Sequence, residues 1–244
     1  MKEQWIYGFH ALRARLKLDA ASVLEVLLDE ARRDARAREL QALCDQAGVP
    51  CRAVAGQRID GLLGQARHQG VAARVLPRPK GAGLEELLDG IAGPALLIVL
   101  DGVTDPHNLG AVLRSADAFG VHGVIAPKDR AVGLNATVEK VACGAAESVP
   151  YVMVTNLARA LETLAERGIW TVAAEAGAAK TLAQVDARAP LAWVLGAEGA
   201  GLRRLTREHC DEAARIPMGG AVASLNVSVS AALCLYETQR QRRP

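Results

Sequence analysis

Five polar side chains that could take part in chemistry occur in three segments of the sequence. Each segment follows an apolar, strand-like run, and two segments are rich in glycine, which lets the backbone come close to a ligand. Together they offer a guanidinium, a carboxylate, two carboxamides and a hydroxyl. The residues are Asn108 and Arg114 in TDPHNLGAVLRSADAFG, Glu198 in LGAEGAGL, and Ser224 and Asn226 in IPMGGAVASLNVSVSAAL.

Each of these residues also has a simpler structural explanation. Asn108 could cap the helix that follows TDPH, and either polar residue before the last helix could cap that helix. Arg114 could pair with Asp117 on a solvated helix face. Glu198 could be an exposed residue of a flexible turn. Taken singly, every residue leaves this explanation open, and only a shared position in the fold favours a common site.

A regular alternation of strands and helices positions the three segments. From residue 95 onward, near-continuous apolar runs such as ALLIVLDGV and APLAWVLG alternate with helical patterns such as NLGAVLRSADAFG and NATVEKVACGAAESV. This pattern predicts an α/β domain with a mainly parallel sheet that helices cover on both faces. Ligands of such sheets bind beyond the carboxyl ends of the strands. We therefore expect all five polar side chains at one edge of the sheet.

The first part of the chain predicts a smaller α/β unit. Helical patterns such as YGFHALRARL and DARARELQALCDQAG alternate with strand-like runs such as SVLEVLLDE and GVAARVLP. The segment PRPKGAG then interrupts the pattern with two prolines and two glycines. We predict a first domain of residues 1–76, a linker of residues 77–94 and a second domain of residues 95–244.

The charge is distributed unevenly along the 244 residues. Residues 1–80 contain 14 Lys or Arg against 9 Asp or Glu, whereas residues 81–244 contain 15 against 18, so a front part of +5 precedes a remainder of −3. A basic front part indicates contact with a polyanion, although chance asymmetry of a solvated surface would give the same numbers.

The composition is that of a folded chain, with 50% hydrophobic and 23% charged residues. No apolar run approaches the roughly 18 residues of a membrane span, and the N-terminus lacks the pattern of a signal peptide, so we expect no membrane association. Five widely separated cysteines without a CxxC pair favour reduced thiols in the cytoplasm. We also expect no metal site from the spacing of Cys and His.

The three polar segments resemble the three sequence motifs of the SpoU/TrmH family of RNA ribose 2'-O-methyltransferases, and they occur in the order of that family. The front segment, beginning IYGFHALRARL, is similar to the small RNA-binding domain of one branch, whose fold is that of a small α/β ribosomal protein. KVACGAAESVP also resembles that branch. The branch methylates a guanosine ribose in the peptidyl-transferase region of large-subunit ribosomal RNA.

The resemblance implies a fold, a cofactor and residue roles that periodicity does not. It implies a deep trefoil knot in the second domain, a homodimer through that domain, and catalytic positions at the five polar residues named above. It also implies that S-adenosylmethionine binds to the backbone around five further residues. These are Leu195, Gly196, Ile216, Met218 and Leu225.

Two other classes of protein share some of these sequence features. A nucleotide-dependent oxidoreductase or transferase would use an ordinary doubly wound sheet, but the sequence lacks the G-x-G-x-x-G fingerprint after the first strand of the sheet. A non-catalytic RNA-binding protein would be expected to have lost Arg114 or Glu198, and both are present. Ribose methylation of RNA is therefore the favoured prediction.

Overall fold

The computed structural model describes residues 3–64, 66, 68–76 and 83–243. The chain divides into two compact units. The first consists of Met1–Lys80 together with Cys143–Ser148, and the second of Gly81–Ala142 together with Val149–Pro244. Of the predicted linker, residues 77–82 lie outside the described residues.

The first unit contains a four-stranded mixed sheet in the order β1-β4-β2-β3. Strand β4 is antiparallel to both β1 and β2, whereas β2 and β3 are parallel. The predicted α/β character is confirmed, although the short first strand was not predicted. The elements are β1 (Gln4–Tyr7), α1 (Phe9–Asp19), β2 (Val23–Asp29), α2 (Ala35–Ala47), β3 (Cys51–Val54), α3 (Gly56–Leu63) and β4 (Val71–Val75).

The second unit contains a seven-stranded sheet in the order β7-β6-β5-β10-β8-β11-β9, parallel at every pairing. Its first elements are α4 (Leu84–Asp89), β5 (Leu96–Asp101), α5 (Pro106–Ala118), β6 (Gly123–Pro127) and α6 (Ala136–Ala142). After α7 (Ala145–Ser148), which belongs to the first unit, the remaining elements follow. They are β7 (Tyr151–Val154), α8 (Leu157–Glu166), β8 (Trp170–Ala174), β9 (Lys180–Thr181), β10 (Leu191–Gly196), α9 (Arg204–Glu208), β11 (Glu212–Arg215) and α10 (Val227–Arg242).

Helices cover both faces of this sheet, as the sequence predicts. Side chains alternate between the two faces along a strand. On β10, Ala192 and Val194 pack in a cluster with the apolar residues of α8. Trp193, between them, donates a hydrogen bond of 2.9 Å to Thr238 of α10, and both residues are fully buried. The fold class is confirmed, and the trefoil knot stays a prediction.

The predicted helix over NATVEKVACGAAESV is wrong as a single element. It is split into α6 and α7 by Cys143 and Gly144, whose φ angles of 52° and 94° are left-handed. A Cβ atom on Gly144 would lie 2.7 Å from the carbonyl oxygen of His10. The turn therefore requires glycine because of a close approach to a residue distant in sequence, which local periodicity does not reveal.

A fully buried arginine holds α7 in the first unit. The guanidinium of Arg15 donates hydrogen bonds to Ser22 Oγ at 2.7 Å, the carbonyl of Leu76 at 2.6 Å and the carboxylate of Glu147 at 3.0 Å. Because a buried charge is tolerated only when it is paired and hydrogen-bonded, Arg15 is a structural residue of this unit.

Gly110 lies at the contact between α5 and α6. A Cβ atom there would be 2.6 Å from Val141 Cβ and 3.0 Å from the carbonyl oxygen of Val138. The space beside Gly110 is therefore filled by α6, and the glycine is required by the packing of the two helices.

We expect Gly110→Ala to destabilise the protein by about 1–3 kcal/mol, the usual cost of overpacking a filled site. This cost exceeds the gain of about 1 kcal/mol that Ala brings over Gly inside a helix. The control is Gly61→Ala in α3, where the added methyl meets open space, so that this variant should be slightly stabilised. Urea unfolding measures both. Equal stability of the two variants would contradict the packing argument.

Candidate active site

The three polar segments meet at the carboxyl edge of the parallel sheet. Strands β5 and β10 are adjacent, and their last residues, Asp101 and Gly196, are paired in register. The segment after β5 leads into α5, the glycine-rich segment follows β10, and the third segment joins β11 to α10. Adjacent parallel strands place the loops that follow them side by side. The predicted position of the three segments at one edge of the sheet is therefore confirmed.

A polar cluster of three side chains forms where these segments meet. The amide nitrogen of Asn226 donates a hydrogen bond of 2.9 Å to Asn108 Oδ1 and another to the carboxylate of Glu198. Asn108 Nδ2 lies 3.4 Å from the same carboxylate oxygen. The cluster therefore joins α5, the glycine-rich loop and the start of α10, as convergence on one site requires.

Asn226 both caps α10 and bridges the cluster. Its Oδ1 accepts hydrogen bonds from the backbone nitrogen of Ser228 at 2.8 Å and from Ser228 Oγ at 2.6 Å. These contacts direct the oxygen of the carboxamide toward the helix and its nitrogen toward Glu198. Capping and participation in the site are thus compatible for this residue.

Asn108 is not a helix cap. The cap of α5 is Asp105, whose carboxylate accepts from the backbone nitrogen of His107 at 2.9 Å, and Pro106 occupies the first turn. This hydrogen bond lowers the pKa of Asp105. Because the cap position is already filled, the side chain of Asn108 is directed to Glu198 and Asn226 instead.

A cavity of about 450 Å³ lies beside the cluster, at the ends of β8, β10 and β11 and the start of α10. Its volume is in the usual range for small-molecule sites. Glu198 and Ser224 line it. So do all five residues that the resemblance implies for cofactor binding: Leu195, Gly196, Ile216, Met218 and Leu225.

The lining of the cavity carries negative charge. Two carboxylates, Glu175 and Glu198, belong to its lining, which includes no Lys, Arg or His among the described residues. Arg207 donates a hydrogen bond of 2.7 Å to Glu175 and partly offsets its charge. Such a lining favours a ligand with positive charge and hydroxyl groups over a ligand with several phosphates.

The glycine-rich loop is closed tightly on itself. Gly201 donates a backbone hydrogen bond of 2.9 Å to Ala197, and the φ angles of Gly199 and Gly201 are 74° and 66°. A Cβ atom on Gly196 would overlap the backbone of Gly201 and Leu202. The glycines are therefore required by the shape of the loop.

Arg114 does not reach this cavity in the described chain. It is an exposed residue of α5, six positions after Asn108, and it is absent from the lining residues. Six residues advance about 9 Å along a helix. The structure thus brings together four of the five polar residues, and Arg114 lies further along the same helix.

Two residues of the site were missed by sequence reasoning. Asp101, with 1% of its surface exposed, accepts hydrogen bonds from the backbone nitrogen and Nε of Arg203, at 2.9 and 2.6 Å. It ties the end of the glycine-rich loop to β5. Glu175 contributes a carboxylate after β8. Both are acidic residues at the end of an apolar strand, and this signal could have identified them.

The fold and the site define an α/β protein with a cavity of small-molecule size at the carboxyl edge of a parallel sheet. Among the described residues, no group of three His, Cys, Asp or Glu side chains is placed to hold a metal ion. Residues 95–236 match the SpoU rRNA Methylase family, and residues 5–80 match the family of RNA 2'-O ribose methyltransferase substrate binding domains. The chain belongs to the SpoU rRNA methylase family.

Similar proteins cover both units. The chain is 56% identical over 240 residues to the 23S rRNA (guanosine-2'-O-)-methyltransferase RlmB of Bordetella pertussis, with 98% of each chain covered. It is 56% identical over 238 residues to RlmB of Nitrosomonas europaea, covering 98% of this chain and 92% of the relative. Among solved structures, the SpoU methyltransferase AviRb from Streptomyces viridochromogenes in complex with AdoMet is 27% identical, with a TM-score of 0.77, covering 98% of this chain and 90% of that chain.

Proposed function

We propose that this protein transfers a methyl group from S-adenosylmethionine to the ribose 2'-hydroxyl of a guanosine in large-subunit ribosomal RNA. We place the target nucleotide in the peptidyl-transferase region. The observation that carries the proposal is the cavity formed by the five predicted cofactor positions, directly beside the cluster of Asn108, Glu198 and Asn226. The activity in the names of the RlmB relatives supports it.

The cavity suits S-adenosylmethionine chemically. Apolar side chains of Leu195, Ile216 and Leu225 can enclose an adenine ring, and Gly196 contributes backbone to the same lining. The carboxylate of Glu175 can accept hydrogen bonds from ribose hydroxyls. When bound, the cofactor supplies a methyl group on positively charged sulfur, which carboxylates in the lining stabilise. A phosphate-bearing nucleotide would meet the same carboxylates unfavourably.

The polar residues can align the 2'-hydroxyl with that methyl group. Orientation of the reacting groups contributes on the order of 7–11 kcal/mol at best. In our proposal Asn108, Glu198, Ser224 and Asn226 position the ribose, and Arg114 binds the phosphate of the target nucleotide. A guanidinium has a pKa above about 12 and is a poor base near pH 7. The hydroxyl proton therefore leaves late in the reaction, to water.

Calorimetric titration of the full chain tests the choice of cofactor. We expect S-adenosylmethionine to bind with the same affinity in the presence and absence of EDTA, and NADH and ATP to show no binding at the same concentrations. Binding of NADH or ATP in preference to S-adenosylmethionine would favour the oxidoreductase or another nucleotide-dependent enzyme. Loss of binding with EDTA would show that a metal ion is required.

We further propose that residues 1–76 form an RNA-binding domain, residues 77–94 a linker and residues 95–244 the methyltransferase domain. The exposed Arg33, Arg36 and Arg38 have no side-chain ion pair with the described part of the chain and can bind phosphates. Within the linker, α4 buries Leu87 and Leu88 in the core of the second unit. A fragment meant to contain the second domain should therefore begin before α4.

The proposed homodimer uses α10. Val229, Leu233 and Tyr236 are exposed on this helix at 46%, 38% and 59%, with the i, i+4, i+7 spacing of one helix face. An apolar stripe of this kind on a terminal helix is typical of a protein interface. A second copy of the chain suits it because two identical apolar stripes can cover each other about a twofold axis.

We expect Tyr236→Asp to convert the dimer to a monomer, because an uncompensated carboxylate in an apolar interface is unfavourable. The matched control is Leu18→Asp on α1, where a residue of similar exposure, 56%, changes in the same way. Sedimentation of both full-length variants at micromolar concentration measures the effect. A monomeric parent protein, or a dimer that withstands Tyr236→Asp, would contradict this assignment of the interface.

We also propose a cytoplasmic location, because the substrate is ribosomal RNA and Cys44, Cys51, Cys210 and Cys234 are free thiols. No helix in the described residues is long and apolar enough to cross a membrane.

A further inference from the structure

The loop of residues 128–135, between β6 and α6, carries two cationic side chains. Lys128 and Arg130 are exposed. Across the described residues, neither side chain has an ion pair or a hydrogen bond. Asp129 lies between them, so the loop carries a net charge of +1. We call residues 128–135 the β6–α6 loop.

Backbone contacts hold this loop in one place. Lys128 N donates to the carbonyl of Val154 at 2.8 Å, and Val132 N donates to the carbonyl of Val103 at 3.0 Å. Tyr151 donates its hydroxyl to the carbonyl of Val132 at 2.7 Å, and burial raises the pKa of Tyr151 so that the hydroxyl stays protonated. A ligand that binds the loop therefore pays little ordering entropy.

The β6–α6 loop is at the same edge of the sheet as the polar cluster. Strand β6 neighbours β5, and β5 neighbours β10, so the ends of β6 and β10 are two strand spacings apart, or about 10 Å. The hydrogen bond from Val132 reaches Val103, in the segment that leads from β5 to Asn108. A strand of RNA whose ribose reaches Glu198 thus passes within range of this loop.

The backbone of Arg130 adopts a conformation that is unusual for arginine. Its φ angle is 59°, in the left-handed region that Gly or Asn adopts at lower cost. Local sterics therefore do not favour arginine at this position, and the described chain offers its side chain no partner.

We propose that Lys128 and Arg130 bind phosphates of the substrate RNA adjacent to the target nucleotide and thereby position the strand at the active site. The inference rests on the proposed function. The carboxylate-lined cavity and the cationic loop divide the edge into one part for the cofactor and one for the RNA backbone. With only two Phe, three Trp and three Tyr in the chain, phosphate contacts have to carry more of the RNA affinity than stacking on aromatic rings.

The test compares full-length Lys128→Gln/Arg130→Gln with the parent protein and with Arg188→Gln. Arg188 is an exposed cation of the same unit that precedes β10, at the opposite edge of the sheet, where it pairs with Asp186. Gln removes the charge and keeps a long side chain. RNA affinity is measured over a series of salt concentrations, with KM for RNA, kcat and S-adenosylmethionine affinity as further readouts.

We expect the double variant to weaken RNA binding on the order of 20-fold at 0.1 M salt and to lower the slope of log K against log salt by about 1.4, since each lost contact with single-stranded RNA contributes about 0.7. KM for RNA should rise in parallel, with kcat and S-adenosylmethionine affinity unchanged. Arg130→Lys should retain most of the affinity. A double variant that binds RNA within twofold of Arg188→Gln would overturn the inference. If the parent binds RNA but transfers no methyl group, the proposed function fails instead, and the salt slopes still decide the role of the loop.

Discussion

Arg114→Ala is expected to lower methyl transfer by at least about 100-fold, the cost of misplacing a reacting group, while S-adenosylmethionine affinity changes by less than about twofold. The separation follows from the structure, because Arg114 is on α5 outside the cofactor-sized cavity. Single-turnover methylation and calorimetry measure the two effects. If Arg114 serves only as a surface partner of Asp117, the variant loses under about 1 kcal/mol of stability and keeps its turnover. That result would contradict the assigned role.

Arg114→Lys distinguishes a phosphate-binding role from a role as general base. Lysine has a lower pKa than arginine, about 10.4, and would be the better base. It cannot make the planar, bidentate contact that a guanidinium makes with a phosphate. We expect Arg114→Lys to be impaired at all pH values, with no recovery above pH 9. Activity equal to the parent, or greater above pH 9, would show instead that Arg114 removes the proton.

Gly196→Ala is expected to weaken S-adenosylmethionine binding by at least about fivefold. The added Cβ would occupy the position of the Gly201 backbone, so the closed loop has to open and the cavity loses its shape. Overpacking of this kind costs about 1–3 kcal/mol or more, which corresponds to a 5- to 150-fold loss or greater. Calorimetry measures the affinity.

The control for this substitution is Gly219→Ala, in the neighbouring segment after β11, where a Cβ meets open space. It should bind S-adenosylmethionine within about threefold of the parent. Circular dichroism and RNA binding of Gly196→Ala establish that the variant is folded. A folded Gly196→Ala protein that binds the cofactor as tightly as Gly219→Ala would contradict the proposed cofactor site.

The alternation of apolar strands and amphipathic helices was sufficient to predict the parallel sheet, because the hydrophobic pattern of each segment indicates whether that segment forms a strand or a helix. The break between α6 and α7 was not predictable in this way. It depends on the approach of Gly144 to the carbonyl of His10, 134 residues earlier. Likewise, Asp105 caps α5 in place of Asn108, and the partner of Asn108, Glu198, is 90 residues away in sequence.

The candidate site was predictable to the extent that its residues occur in recognisable motifs. The cofactor positions were implied by resemblance, and they do line one cavity. The hydrogen bond between the buried Asp101 and Arg203 was not predicted, because it joins the end of β5 to the end of the glycine-rich loop, 102 residues later in sequence. The role of Gly196 also required the structure, since only the folded loop brings Gly201 against it.

Mapping of the methylated atom tests the central claim most directly. The full-length protein is incubated with unmodified large-subunit ribosomal RNA and S-adenosylmethionine that carries a labelled methyl group, with Arg114→Ala as the inactive control. A methyl group on the 2'-oxygen protects the adjoining phosphodiester from alkaline cleavage, so that the site is read as a gap in the alkaline ladder. We predict one labelled guanosine per RNA, protected from alkali, and no label with the control. Label on a base, protection at a nucleotide other than guanosine, or equal labelling by Arg114→Ala would contradict the account.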